Sequence, residues 1–114
     1  MSDCLFCKMA SGEIKPDVVL EDEEILAFRD INPQGPVHIL IIPKKHIPTV
    51  NQIEEDDAPL VGKLFLAAKK IAESEGIAED GYRLVFNCNK HGGQEVYHIH
   101  LHLIGGRQMT WPPG

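Results

Sequence analysis

The chain has 114 residues, 43% of them hydrophobic, which is the size of one domain with enough apolar material for one core. Its formal charge is −6, and basic pairs occur only at Lys44-Lys45 and Lys69-Lys70, so a nucleic acid would be repelled, whereas a small anion held by local donors is not excluded. The longest apolar run, ILII at 39–42, is far too short to span a membrane, and the start MSDCLFC has neither the charged nor the apolar region of a signal peptide. A cytoplasmic protein without a membrane partner is expected.

No repeat, low-complexity tract or linker interrupts the chain, so a single domain over 1–114 is expected. A short helical turn is predicted over 4–10, ended by Ser11-Gly12. It carries Cys4-x-x-Cys7, which together with Cys88 makes an odd number of cysteines. That count does not suggest a disulfide framework; in a reducing compartment the pair is metal-binding or redox-active. Strands VVLE at 18–21 and ILAFRD at 25–30 follow, joined by the acidic turn Asp22-Glu23-Glu24. INPQGP is a turn cluster, and VHILIIP at 37–43 is a strand closed by Pro43. One long helix is predicted over about 55–75. Leu60, Val61, Leu64, Phe65, Ala68, Ile71 and Ala72 form its 3.6-period stripe, Glu54 to Asp57 lie at its start, and Gly76 stands just past its end. YRLVFN at 82–87, the loop CNKHGGQE and a strand at 96–104 complete the set. Sequential strands with one major helix imply an α+β protein built on an antiparallel sheet.

The last strand reads VYHIHLHLI. Ile99, Leu101 and Leu103 alternate with His98, His100 and His102, which places the three imidazoles on one face. Neighbouring histidines would sit about 6.6 Å apart and the outer two about 13 Å apart, so three cannot converge on one ion. At least one must therefore serve otherwise, in packing, proton transfer or nucleophilic attack.

HIHLHLI has the form His-φ-His-φ-His-φ-φ, with φ apolar, and resembles the signature of the histidine-triad (HIT) family. FRDINPQGPVHILIIPKKH, NCNKHGGQEVYHIHLHLIGGR and the ending WPPG resemble its Hint branch, the purine nucleoside phosphoramidases. The resemblance covers nearly the whole chain. It implies a HIT-like fold, with an antiparallel sheet of about five strands, one long and one short helix, and a sheet continued across a homodimer. A purine mononucleotide site in each protomer is implied with it. The implied activity is hydrolysis of the P–N bond of purine nucleoside phosphoramidates. A dinucleoside polyphosphate hydrolase and a nucleotide-binding regulator or scaffold are the rival readings.

On this sequence the resemblance implies that His100 is the nucleophile that takes the nucleotidyl group, with His38 beside it; as residues alone, His38 reads equally as a satisfied sheet histidine. His102 and Asn87 match phosphate-contacting positions. Gly92-Gly93-Gln94 would bring backbone N–H groups to the phosphoryl oxygens, although a lone GG is also just a turn. Asp30 matches the acceptor of the ribose hydroxyls, and Phe6, Ile14, Phe28 and Ile31 match the base pocket; without the resemblance these four would be core residues. Cys4, Cys7, His46 and His98 resemble the four-ligand zinc site of some relatives, the alternative being two buried thiols. No metal is implied for the chemistry itself. Glu95 departs from the pattern, because many relatives carry Ser there. Trp111 is implied to cross the dimer interface and border the partner's site, the alternative being a cover over its own sheet edge.

Overall fold

The computed structural model describes residues 3–114. Helix α1 is Leu5–Ala10, capped by the Cys4 sulfur, which accepts from the Cys7 N–H. Strands β1 (Val18–Glu21) and β2 (Ile25–Arg29) are joined by a turn that the Asp22 carboxylate closes, accepting from the N–H groups of Glu24 and Ile25 at 2.8 Å each. Strand β3 is Val37–Pro43, α2 is Ala58–Ser74, β4 is Tyr82–Val85 and β5 is Leu101–Gly105. The five strands form one sheet in the order β1-β2-β3-β5-β4, antiparallel at every pairing. Among the described residues no helix is long and apolar enough to cross a membrane.

The period-two alternation divides the sheet into two faces. Ile25, Ala27, Ile39, Ile41, Ile99, Leu101 and Leu103 meet Leu64, Ala67, Ala68, Ile71 and Ala72 of α2 in the larger core. Leu26, Phe28, Leu40 and Ile42 point the other way and pack with Phe6 of α1. Because α1 has only six residues, it covers one end of that second face and leaves the other end open. The histidines lie on this partly covered face, where burial and access to solvent coexist.

Three expectations need correcting. The long helix starts at Ala58, after a 3-10 turn at Glu55–Asp57. Asp57 is tied down there, accepting from the Glu54 N–H at 2.9 Å and from Lys45 Nζ at 2.5 Å. Phe65 lies off the buried stripe, 43% exposed, and Ala67 takes the inward position; Phe65 instead meets Phe86 at 6.1 Å between ring centroids. The histidine strand is regular only from Leu101, whose partner is Ile41; the ladder stops there although the same register would set His100 and Ile99 opposite Ile42 and Pro43, the last of which has no N–H to give. Ile99 is tied instead to the loop after Pro43, its N–H donating to the Ile47 carbonyl at 2.8 Å. The predicted helix stop is present. Gly76 takes a φ of 76° and the Ile77 N–H bonds back to the Ala72 carbonyl at 3.0 Å, closing a Schellman turn.

Candidate active site

His38, His100 and His102 line one cleft of about 260 Å³ together with Asp30, Asn32, Gln34, Asn87, Gly93 and Glu95. On the sheet His102 pairs with Leu40, so His38 is its diagonal neighbour and their rings lie 5.2 Å apart between centroids. The His100 ring is 5.0 Å from that of His102. Phe6 stands edge-on to both His98 and His100, at 5.9 and 5.1 Å, and holds their ring planes.

Backbone groups decide which nitrogen of each ring carries the proton. His100 Nδ1 lies 2.8 Å from the His98 carbonyl, an acceptor only, so Nδ1 is the donor and Nε2 keeps its lone pair. At His38 the order is reversed. The Gln34 N–H donates to His38 Nδ1 at 2.9 Å, which leaves the proton on Nε2. His38 Nε2 faces His102 Nδ1 at 2.9 Å and Asp30 Oδ2 at 3.4 Å, so His102 accepts at Nδ1 and is protonated at Nε2. That His102 Nε2–H is the one buried side-chain polar atom among the described residues without a hydrogen-bond partner. One cleft therefore presents a nucleophilic lone pair on His100 and an unanswered donor on His102.

Burial keeps these rings neutral. Desolvation lowers the pKa of His38, with the Asp30 carboxylate opposing it, and lowers that of His100 against the stabilising His98 carbonyl. His102 is pushed down to about 4, by desolvation first and then by its neighbours His100 and His38. Three neutral imidazoles at pH 7 are what an uncharged nucleophile beside a neutral donor requires.

The loop after Asn87 is arranged differently from expectation. The N–H groups of Gly93 and Gln94 do not point at the cleft as free donors, but donate to the carbonyls of Lys90 and Asn89 at 3.0 and 3.1 Å and close the turn. The Gln94 side chain is buried, accepting from the Asn89 N–H and donating to the carbonyls of Pro48 and Val96. It holds the loop in shape. Gly92 lets that loop fold tightly, since an added Cβ would lie 2.6 Å from the Cys88 backbone. Phe6 and Phe28 are each 3% exposed and pack edge to face at 5.5 Å, beneath the surface. Ile14 and Ile31, at 36% and 101% exposed, are the members of that quartet open to a ligand. Asn32 and Gln34 line the cleft although the sequence marks them only as part of a turn; the signal was the placement of that turn four residues ahead of His38.

A second cluster lies beside the first. Cys4, Cys7, His46 and His98 bring Sγ and Nδ1 atoms within 4.8 Å of one another. The His98 Nε2–H donates to the Pro43 carbonyl at 2.7 Å, so its Nδ1 lone pair faces Cys4 Sγ at 3.4 Å, Cys7 Sγ at 3.6 Å and His46 Nδ1 at 3.2 Å. Cys7 Sγ lies 3.3 Å from His46 Nδ1. A tetrahedral ion with ordinary Zn–S and Zn–N bond lengths spaces its ligand atoms by roughly 3.3–3.8 Å. The four residues fit a metal. Burial, followed by the hydrogen bond and charge of Cys4, pushes the Cys7 thiol up. Asp30, His38 and His102 also approach one another, but both nitrogens of His38 and Nδ1 of His102 are committed to the Gln34–His38–His102 chain, which leaves only His102 Nε2 outside it.

The HIT domain family model matches residues 11–109, and the chain belongs to the HIT family. The purine nucleoside phosphoramidase of Escherichia coli K12 is 55% identical over 107 residues, which cover 94% of this chain and 90% of that protein. The crystal structure of a HIT family hydrolase from Legionella pneumophila Philadelphia 1 superposes with a TM-score of 0.96 at 67% identity, over 97% of this chain and 99% of that one. A histidine triad protein from Clostridium difficile superposes at 0.94 with 41% identity, covering 96% of each chain.

Proposed function

We propose that the protein is a nucleotidyl hydrolase that cleaves the P–N bond of purine nucleoside phosphoramidates. The observation that carries this reading is the opposition of protonation states in one cleft, with a lone pair at His100 Nε2 and a buried, unpartnered donor at His102 Nε2. The resemblance to a purine nucleoside phosphoramidase favours this substrate class over dinucleoside polyphosphates.

In the proposed reaction His100 Nε2 attacks the α-phosphorus and forms an N–P bond while the P–N bond to the amine breaks. The amine departs with a proton taken up at the open mouth of the cleft, where Glu95 is exposed and faces the forming ammonium. His100 then carries a positive charge, which the His98 carbonyl stabilises through Nδ1–H. Water attacks the phosphorus, the His100 N–P bond breaks, and the mononucleotide and a proton are released. Throughout, the His102 Nε2–H donates to a phosphoryl oxygen as its charge grows. Asn87, beside it in the cleft, supplies a second polar contact, and Gly93 forms part of the wall. Asp30 spends one oxygen on the Asn32 N–H at 2.9 Å and retains acceptor capacity for the ribose hydroxyls. The base lies over Ile14 and Ile31, with Phe6 and Phe28 as the floor beneath.

We assign zinc to Cys4, Cys7, His46 and His98, because two thiolates and two imidazoles at tetrahedral spacing suit it. Bound there it cross-links α1 to the segments after β3 and before β5. It supplies no chemistry to the phosphoryl group. The working unit is one domain that pairs as a homodimer. Its support is β4, an edge strand with every residue only half-buried, and Trp111, 82% exposed and so no cover for its own sheet. In the pair Trp111 borders the partner's cleft. Free thiols at Cys4, Cys7 and Cys88 suit a reducing cytoplasm.

Turnover of a fluorogenic adenosine phosphoramidate, beside a diadenosine polyphosphate, by wild type and His100→Ala tests the reading. Phosphoramidate hydrolysis lost in the variant supports it. Preference for the polyphosphate, or turnover that survives the substitution, overturns it.

A further inference from the structure

Arg107 follows β5 after Gly105-Gly106 and is exposed, yet each of its three guanidinium nitrogens makes a hydrogen bond. Nε and one terminal nitrogen donate to the Gln34 carbonyl at 3.1 and 3.0 Å, and the other terminal nitrogen donates to the Gln108 carbonyl at 3.2 Å. A cation with no carboxylate partner, aimed two-pronged at one backbone oxygen, calls for a reason.

Gln34 is the residue whose N–H sets the tautomer of His38. Its two peptide planes meet at one Cα: the carbonyl side is gripped by Arg107 and the amide side donates to His38 Nδ1 at 2.9 Å. From His38 the proton order passes to His102 at 2.9 Å and ends at the unpartnered His102 Nε2–H. The loop that carries Gln34 has exposed residues on the rim of the cleft, and it is drawn closely onto the end of β5. A Cβ on Gly35 would meet Ile104 Cγ2 at 3.1 Å and the Gly105 carbonyl at 3.2 Å. The loop is closed at its base by the Asp30 N–H, which donates to the His38 carbonyl at 3.0 Å, and is tied within itself from the Asn32 N–H to Asp30 Oδ1 and from Gln34 Nε2 to the Asn32 carbonyl. None of these bonds involves the peptide groups of Gln34.

We propose that Arg107 is a positioning residue for His102: by pinning the Gln34 carbonyl it keeps the Gln34 amide on His38 Nδ1, and so keeps the proton of His102 on Nε2. Without the grip, an exposed loop is free to move its N–H off His38. His38 and His102 can then exchange proton positions, and the cleft loses its donor in a fraction of molecules. The device rests on the hydrolase reading only for its effect on turnover, because the tautomer order is a property of the free protein.

The test is long-range 1H–15N imidazole spectroscopy of 15N-labelled protein without nucleotide, for wild type, Arg107→Ala, Arg107→Lys and Gly35→Ala. Wild type should show the Nε2-protonated pattern at both His38 and His102. Arg107→Ala should show mixed tautomers at both, with His100 unchanged because its partner is the His98 carbonyl. Arg107→Lys, which reaches the same carbonyl with one donor group, should recover most of the Nε2-protonated pattern. Gly35→Ala, which lifts the same loop by steric contact, should reproduce the mixture with Arg107 present, and decides the matter if Arg107→Ala fails to fold. On an adenosine phosphoramidate, kcat of Arg107→Ala should fall about tenfold with KM little changed, since a donor used mainly in the transition state is lost in part of the population. A single Nε2-protonated tautomer at both rings in Arg107→Ala, or in Gly35→Ala where that variant decides, overturns the proposal whatever the turnover. Absence of turnover in wild type beside the expected spectra would remove the hydrolase reading and leave this one standing.

Discussion

The carbonyl of His98 accepts the Nδ1 proton of His100 at 2.8 Å, while the imidazole of the same His98 turns its Nδ1 to Cys4 and Cys7. His98 thus joins the Cys4–Cys7–His46–His98 cluster to His100, the proposed nucleophile: its side chain belongs to one group and its backbone to the other. Loosening the cluster should be felt at His100.

Elemental analysis of protein purified without added metal or chelator should find about one zinc per chain. Cys7→Ser should lower the metal content and reduce Tm by roughly 10 °C, the scale of losing a structural ligand in a domain of this size. A metal-free preparation of undiminished stability would favour two ordinary half-buried thiols.

His100→Ala should retain affinity for adenosine monophosphate, because the ribose and phosphate contacts assigned to Asp30 and His102 remain, yet lose turnover by roughly 10⁴-fold or more. Acid-labile nucleotidyl-protein should be trapped by quenching wild type and be absent from the variant. Mass spectrometry of the quenched samples decides it.

Acid should unfold the protein through its buried imidazoles. His102 stays neutral in the fold down to about pH 4, whereas an unfolded imidazole takes up its proton near 6.5. The lowered folded pKa means that the stability contributed is complete above pH 6.5 and is lost as pH falls toward 4, on the order of 3 kcal/mol from this residue. Urea midpoints measured from pH 7.5 to 4 should decline over that window, and His102→Asn should flatten the decline.

Glu95 stands at the mouth of the cleft, lining both it and a neighbouring groove with Leu5, His46 and Tyr97. Glu95→Ser should change the relative kcat/KM among cationic, neutral and anionic amine leaving groups several-fold, more than it changes affinity for adenosine monophosphate. A change confined to nucleotide affinity would place the carboxylate beside the phosphate.

Deleting residues 109–114 removes Trp111, which makes little contact within its own chain. The truncated protein should remain folded and dimeric by sedimentation, with altered discrimination between small and bulky amines. Unchanged kinetics on both would reduce the tail to packing.

The strands at 18–21 and 37–43, the helix stop at Gly76 and the alternating faces of the sheet were legible in the sequence because each follows from a local rule: a period of two, a proline, a glycine that accepts positive φ. The triad was equally visible as three imidazoles on one face, and resemblance to a family supplied the pairing of Cys4 and Cys7 with His46 and His98. Phe65 was misplaced because periodicity alone does not distinguish a stripe facing the core from its flank. The proton order of the site was not legible at all. It depends on the Gln34 amide and on the His98 and Pro43 carbonyls. Every residue but proline carries the same amide, and every residue the same carbonyl, so no side-chain pattern marks which of them will meet an imidazole. The same holds for Gly93 and Gln94, whose N–H groups close their own turn, and for Arg107, whose partner lies 73 residues earlier in the chain. Side-chain chemistry selects the groups that can react. Only the folded backbone decides which nitrogen holds the proton, because that depends on where distant peptide groups come to rest.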